Sequence, residues 1–161
     1  MGFNIEKKLP TAQEVLAKIP LDVGTIQDVQ QHQQEIKDII AGEVDRKLLI
    51  IGPCSAWRKE DVIEYARRLK PLADKVEDKI KVVMRVYIQN PRTTIGWLGP
   101  INQPDPYAAP DLEAGTYYCR EMMVAVAKLG LAIADEALFT HNDSYFVDLI
   151  SWIAIGARST E

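Results

Sequence analysis

The sequence predicts a parallel α/β fold, and three observations carry the prediction. From Lys47 onward, short apolar runs alternate with segments of helical periodicity. The first run, Leu48-Leu49-Ile50-Ile51, shows no polar alternation, as expected of a strand buried on both faces. The runs feed polar loops: Gly52-Pro53-Cys54-Ser55 follows the first, and Gly156-Ala157-Arg158-Ser159-Thr160-Glu161 follows the last.

Residues 1–46 read as an N-terminal helical extension. Thr11 and Glu14 have capping-box spacing, so a short helix starts there and ends before Pro20. Thr25 to Ile40 carries Ile26, Val29, Ile36, Ile39 and Ile40 at near-helical spacing, and Gly42 closes that helix. Residues 47–161 form the second unit. Leu48–Ile51 is its first strand, and Asp61–Leu72 a helix with Val62, Ile63, Tyr65, Ala66 and Leu69 on one face. Ile80–Val86 is the second strand. Residues 87–112 make a long loop holding five of the nine prolines, a length that marks function or disorder. Gly115–Leu129 is the next helix and Leu131–Ala134 a third strand. Asp143–Ile150 reads as a helix capped by Asn142 or Asp143, and Trp152–Ala157 as the fourth strand. Four strands and three helices fit either an open doubly wound sheet or part of a (β/α) barrel. A complete eight-stranded barrel takes about 250 residues, and the 161 here have room for half.

Composition narrows the function. Apolar residues at 47% supply a core, and 26% charged residues suit a soluble surface. A net charge of −4 argues against general nucleic-acid binding. No apolar run approaches the roughly 20 residues that span a bilayer, and the N-terminus lacks a signal-peptide apolar region. Cys54 and Cys119 then read as free thiols of a cytoplasmic protein.

In parallel α/β folds, ligands bind at the carboxyl ends of the strands. Arg85, Arg92 and Arg158 sit at or beyond such ends. A guanidinium offers a planar fork that matches phosphate oxygens in pairs. From Lys81 to Pro100 there are three cations and no acid, a local reversal of the acidic whole. Strand-end arginines also pair with strand-end carboxylates such as Asp135 and Glu136; three together favour phosphate. Thr93 and Thr94 add hydroxyls, or make a solvated turn. Cys54, after a Gly-Pro turn, is a metal ligand, a nucleophile or a small apolar residue. Glu136 supports a metal-bound water, orients an arginine or makes a simple ion pair. His141 reads as a loop or cap residue and Cys119 as packing.

Three motifs in order, Ile-Ile-Gly-Pro-Cys-Ser, Met-Arg-Val-Tyr with Pro-Arg-Thr-Thr-Ile-Gly-Trp, and Ser-Trp-Ile-Ala-Ile-Gly-Ala-Arg-Ser-Thr-Glu, resemble the first half of 3-deoxy-D-arabino-heptulosonate 7-phosphate synthase, type I. The resemblance implies about four βα units of a TIM (β/α)8 barrel behind the extension. It implies condensation of phosphoenolpyruvate with erythrose 4-phosphate, in the aromatic amino acid pathway, with a divalent metal (manganese, iron, cobalt or zinc). Cys54 would then be the metal ligand. Arg85 and Arg158 would bind phosphoenolpyruvate, and Pro91, Arg92 and Thr93 would hold erythrose 4-phosphate. Glu136 would stand beside the reacting centre. The extension would pack across subunits and shape an aromatic amino acid effector site, in a homo-oligomer.

The sequence departs from the family pattern at four places. Asn90 replaces the lysine of Lys-Pro-Arg-Thr-Thr, Leu98 the lysine of Gly-Trp-Lys-Gly, Ala56-Trp57-Arg58 the usual residues after Cys-Ser, and Ile153 a glycine. The family's other metal ligands belong to a second half. The expectation is a truncated chain, inactive alone and completed by a complementary C-terminal half, or else a non-catalytic phosphate-binding or regulatory half-barrel.

Overall fold

The computed structural model describes residues 7–90, 96–137 and 144–155. The chain opens with α1 (Ala12–Lys18), whose capping box is complete: the Thr11 hydroxyl accepts from the Glu14 N–H, and the Glu14 carboxylate accepts from the Thr11 N–H at 2.7 Å. α2 (Val23–Ala41) starts at Asp22, which accepts from the Thr25 N–H at 2.8 Å, and ends at Gly42 in the left-handed region at φ 76°. Then follow β1 (Lys47–Ile51), α3 (Lys59–Lys75), β2 (Ile80–Arg85), α4 (Leu112–Ala127), β3 (Ala132–Ala137) and β4 (Trp152–Ile155).

The four strands form one parallel sheet in the order β1-β2-β3-β4. A doubly wound sheet reverses its order at a switch point, whereas a barrel adds each strand beside the last. Sequential order with α3 and α4 on one face is the barrel pattern, and the sheet is half of such a barrel.

That helix face is the main core. Met84, Val86 and Ile133 from the strands meet Val62 and Ala66 of α3 and Met122, Met123 and Val126 of α4, all buried. Residues of the opposite parity, Val83, Ala132 and Ala134, face the other way and meet Ile36 of α2, flanked by Leu48, Ile50 and Trp152. α2 therefore lies on the concave face of the half-barrel. Gly115 lets α4 approach the loop after β2, since a Cβ there would stand 1.9 Å from the Ile101 carbonyl oxygen. Arg120, fully buried, ties the parts together. Its guanidinium donates to the Ile19 and Tyr145 carbonyls at 2.9 and 2.8 Å and pairs with both oxygens of Asp148 at 2.8 Å.

Several expectations change: α4 starts at Leu112 rather than Gly115, and β3 runs to Ala137 rather than Ala134. α3 runs past Leu72 to Lys75, through Pro71. A proline removes one backbone donor, and here it lies on an exposed turn where that loss is tolerated. The helix expected over 143–150 is absent from the described residues 144–150, which form short turns with one Leu149 N–H to Phe146 carbonyl bond. Phe146, Leu149 and Ile150 all drop into the core, and Arg120 takes the Tyr145 carbonyl, so the backbone bends to suit its side chains. The expected caps Asn142 and Asp143, with His141, lie outside the described residues, as do the last two residues of the expected fourth strand.

β1 and β4 each pair with one strand among the described residues. Their outward side chains, Leu49, Ile51, Ile153 and Ile155, are exposed, Ile155 by 79%.

Candidate active site at the carboxyl ends of the strands

The loops leaving β1 and β2 meet at one end of the sheet, beside β3. The Ala56 N–H donates to the Tyr87 carbonyl at 3.0 Å, and the Val86 N–H to the Ala134 carbonyl at 2.8 Å, so the parallel ladder continues past the strand ends. Gly52 lies against Arg85 so closely that a Cβ on it would meet the Arg85 carbonyl oxygen at 2.4 Å. This contact brings the Gly52-Pro53-Cys54 turn over β2.

Arg85 uses the contact. Its Nη2 donates to the Gly52 carbonyl at 2.7 Å and its Nε to the Pro53 carbonyl at 3.1 Å. Its guanidinium carbon lies 5.3 Å from the Tyr87 ring centroid, a cation–π contact. Among the described residues, the acceptors that hold this guanidinium are neutral carbonyls. No carboxylate among those residues forms an ion pair with it, so two neutral carbonyls orient the charge.

Register places the other candidates. Arg85 pairs across the ladder with Ala134, and Glu136 with Ala154. Glu136 shares the parity of Ala134, so it stands on the concave face one step beyond Arg85 toward the open end. It is half-buried. Tyr87 reports its presence: burial first, then the Glu136 carboxylate, raises the phenol above its ordinary range, with Arg85 opposing. Asp135 points the other way, is buried, and accepts from the Ile88 N–H at 3.4 Å. Cys54 is exposed at the tip of the β1 turn, so the apolar-packing reading of this thiol is wrong. A Gly-Pro turn that hugs Arg85 leaves its next side chain no core to enter. Cys119 is fully buried, and burial pushes its thiol well above the usual range. Lys81 does not belong to this site. It stands four residues before Arg85 in β2 and pairs with Glu35 of α2 at 2.8 Å.

Asn90, where an active-site lysine was expected by resemblance, is buried and fully engaged. It accepts from the Ser55 hydroxyl at 2.8 Å, donates from Nδ2 to the Trp97 carbonyl at 3.3 Å, and donates its N–H to the Leu98 carbonyl at 2.9 Å. Next to it, Trp57 and Trp97 meet edge to face at 5.9 Å, and each indole N–H finds a carbonyl, Pro104 at 2.7 Å and Gln103 at 2.8 Å. Sequence reading missed Ser55, Tyr87 and this tryptophan pair. The departure Ala56-Trp57-Arg58 was the available signal, since an indole needs a partner for its N–H when buried. Pro91, Arg92, Thr93 and Arg158 lie outside the described residues. Among the described residues no group of three or more His, Cys, Asp or Glu side chains could hold a metal ion, so Cys54 and Glu136 do not by themselves fit one. No helix among them is long and apolar enough to cross a membrane.

The described residues define a (β/α) half-barrel with a cation, a carboxylate and a thiol at its strand ends. The particular family follows from comparison. The family model of the DAHP synthetase I family matches residues 18–161, and the chain belongs to that family. It is 44% identical over 156 residues to the Tyr-sensitive phospho-2-dehydro-3-deoxyheptonate aldolase of Salmonella typhimurium, covering 97% of this chain and 44% of the relative. It is 40% identical over 154 residues to the aldolase of Corynebacterium glutamicum, covering 96% and 42%. The tyrosine-inhibited aldolase of Schizosaccharomyces pombe is 36% identical over 100% of the chain and 42% of the relative. The solved aldolase of Francisella tularensis superposes with a TM-score of 0.94 at 38% identity, over 99% of this chain and 47% of that one. The chain thus spans less than half the length of these relatives.

Proposed function

We propose that the chain forms the phosphoenolpyruvate-facing half of a site that condenses phosphoenolpyruvate with erythrose 4-phosphate to 3-deoxy-D-arabino-heptulosonate 7-phosphate. The observation that supports it is Arg85, fixed by two carbonyls and left with its charge at the open end of the strands. Phosphoenolpyruvate carries a phosphate and a carboxylate, and either suits a guanidinium fork. Glu136 stands where it can orient the substrate or hold a proton beside the reacting carbon. Arg158 is the second phosphoenolpyruvate arginine in this reading, and Pro91, Arg92 and Thr93 receive erythrose 4-phosphate; these four assignments rest on their motifs. Cys54 contributes one thiolate to a divalent metal whose other ligands come from outside the described residues. Such a metal polarises an aldehyde as a Lewis acid when bound.

Turnover requires the part of the relatives' length that this chain does not span. A complementary segment or a second copy covers the open edges, and the reaction belongs in the cytoplasm with its soluble substrates. The relatives named Tyr-sensitive and tyrosine-inhibited support an aromatic amino acid effector for the completed protein. The test is calorimetry of phosphoenolpyruvate with the 161-residue chain, beside an assay for product. The expected result is weak, salt-sensitive binding that Arg85→Ala abolishes, without product. Binding unaffected by Arg85→Ala overturns the phosphate assignment, and metal-dependent turnover by the chain alone overturns the requirement for the rest.

A further inference from the structure

The end of the half-barrel opposite the strand-end site holds a polar contact that neither the fold nor the proposed reaction explains. α2 rests on the sheet through Ile36, 2% exposed, against Val83, Ala132 and Ala134. One turn earlier, His32 reaches Lys81 of β2, with Nδ1 and Nζ 2.8 Å apart. The Lys81 side chain is 9% exposed, and its ammonium also donates to Glu35 at 2.8 Å. The same Glu35 oxygen takes Arg46 at 3.2 Å.

An ammonium has donors and no lone pair. Nδ1 therefore accepts from the charged ammonium, which puts the neutral ring's hydrogen on Nε2, a buried atom with no hydrogen-bond partner among the described residues. A proton added at Nδ1 would remove the acceptor and set two cations 2.8 Å apart. Glu35 already balances both Lys81 and Arg46. The remaining charges around the ring are Asp28 on α2, and Lys70, Asp74, Glu77 and Asp78 across a cavity of about 400 Å³. Lys70 and Asp74 pair with each other. The acids soften the repulsion but do not supply the lost hydrogen bond.

We propose that α2 is a pH-responsive plug, docked under the sheet while His32 is neutral and released when His32 takes up a proton.

The direction of titration agrees. Burial first, then Lys81, lowers the His32 pKa below its ordinary 6.5, against Glu35, Asp28 and the Gly130 backbone. A lowered base binds its proton better in the undocked state. Docking is therefore complete above pH 6.5 and weakens as pH falls below it, until the docked pKa is reached. Between those limits one proton is taken up per opening, so the opening constant rises up to about tenfold per pH unit.

Amide exchange on the full chain tests this between pH 7.5 and 5.5, corrected for intrinsic rates. In that range Glu35 stays ionised: burial raises its pKa, but bonds from Lys81, Gln31 and Arg46 together outweigh burial and hold it below its ordinary 4.5. Opening of α2 amides is expected to rise toward about tenfold per unit below pH 6.5, while β2 and β3 amides hold. His32→Gln, whose carbonyl accepts from Lys81 without titrating, is expected to flatten the response. A pH-independent α2, a β2 that loosens in step with it, or the same slope in His32→Gln overturns the proposal. Should His32→Gln not fold, the His32 ring titration in the unaltered chain decides: a midpoint below 6.5 supports the plug, and one at or above 6.5 overturns it.

Discussion

Gly52→Ala is the substitution that most directly couples the fold to the site. The new Cβ would stand 2.4 Å from the Arg85 carbonyl oxygen, and 3.0 Å from its Cβ and backbone nitrogen. These atoms belong to a strand paired on both sides, so they cannot swing away as a side-chain tip would. Reaching an ordinary 3.4 Å contact means opening the end of β1 from β2 by about 1 Å. Overpacking of this kind costs about 1–3 kcal/mol. The same displacement pulls both carbonyls from Arg85, whose bonds to them are 2.7 and 3.1 Å long. A guanidinium that must be reordered on binding loses affinity, expected at about tenfold, the equivalent of about 1.4 kcal/mol. Urea unfolding gives the first quantity and calorimetry with phosphoenolpyruvate the second. An alanine variant with the same midpoint and the same affinity would refute both the packing argument and the role of the turn.

Arg120→Met leaves two carbonyls and the partly exposed Asp148 without their donor, and a loss of about 1–3 kcal/mol is expected in urea unfolding. Asn90→Leu keeps the volume but strands the Ser55 hydroxyl and the Trp97 carbonyl, for a loss of about 1–3 kcal/mol by the same measurement. Alkylation followed by mass spectrometry is expected to label Cys54 in the native chain, and Cys119 only after unfolding, since one thiol is exposed and the other buried with a raised pKa.

The local signals were legible in the sequence and the long-range ones were not. Thr11 with Glu14, and Gly42, mark helix ends by chemistry confined to one turn, and the structure keeps them. The apolar runs at 48 and 80 are both strands, but only β2 is buried on both faces; Leu49 and Ile51 of β1 are exposed, because no helix among the described residues covers that side. The end of α3 was read three residues short, at Leu72 rather than Lys75. The run before β4 misled in the other direction: its apolar spacing served three separate contacts with the core rather than a helical stripe. Arg85 was legible as a strand-end cation, but its partners, Gly52 and Pro53, lie more than thirty residues away and offer only backbone. Lys81 was counted with the anion site because it is near Arg85 in sequence; a strand carries it to the other end of the sheet, where α2 claims it. Asn90 read as a lost charge, and the structure shows what it does instead.

The central claim is that an anion is received at the carboxyl ends of these strands, by Arg85. Backbone amide shifts recorded while phosphoenolpyruvate is titrated into the labelled chain test it most directly. The account predicts saturable shifts at Cys54, Ser55, Arg85, Tyr87 and Glu136, with none at His32, Lys81 or Gly130 at the opposite end. Shifts confined to that opposite end, or scattered over surface lysines without saturation, would contradict it.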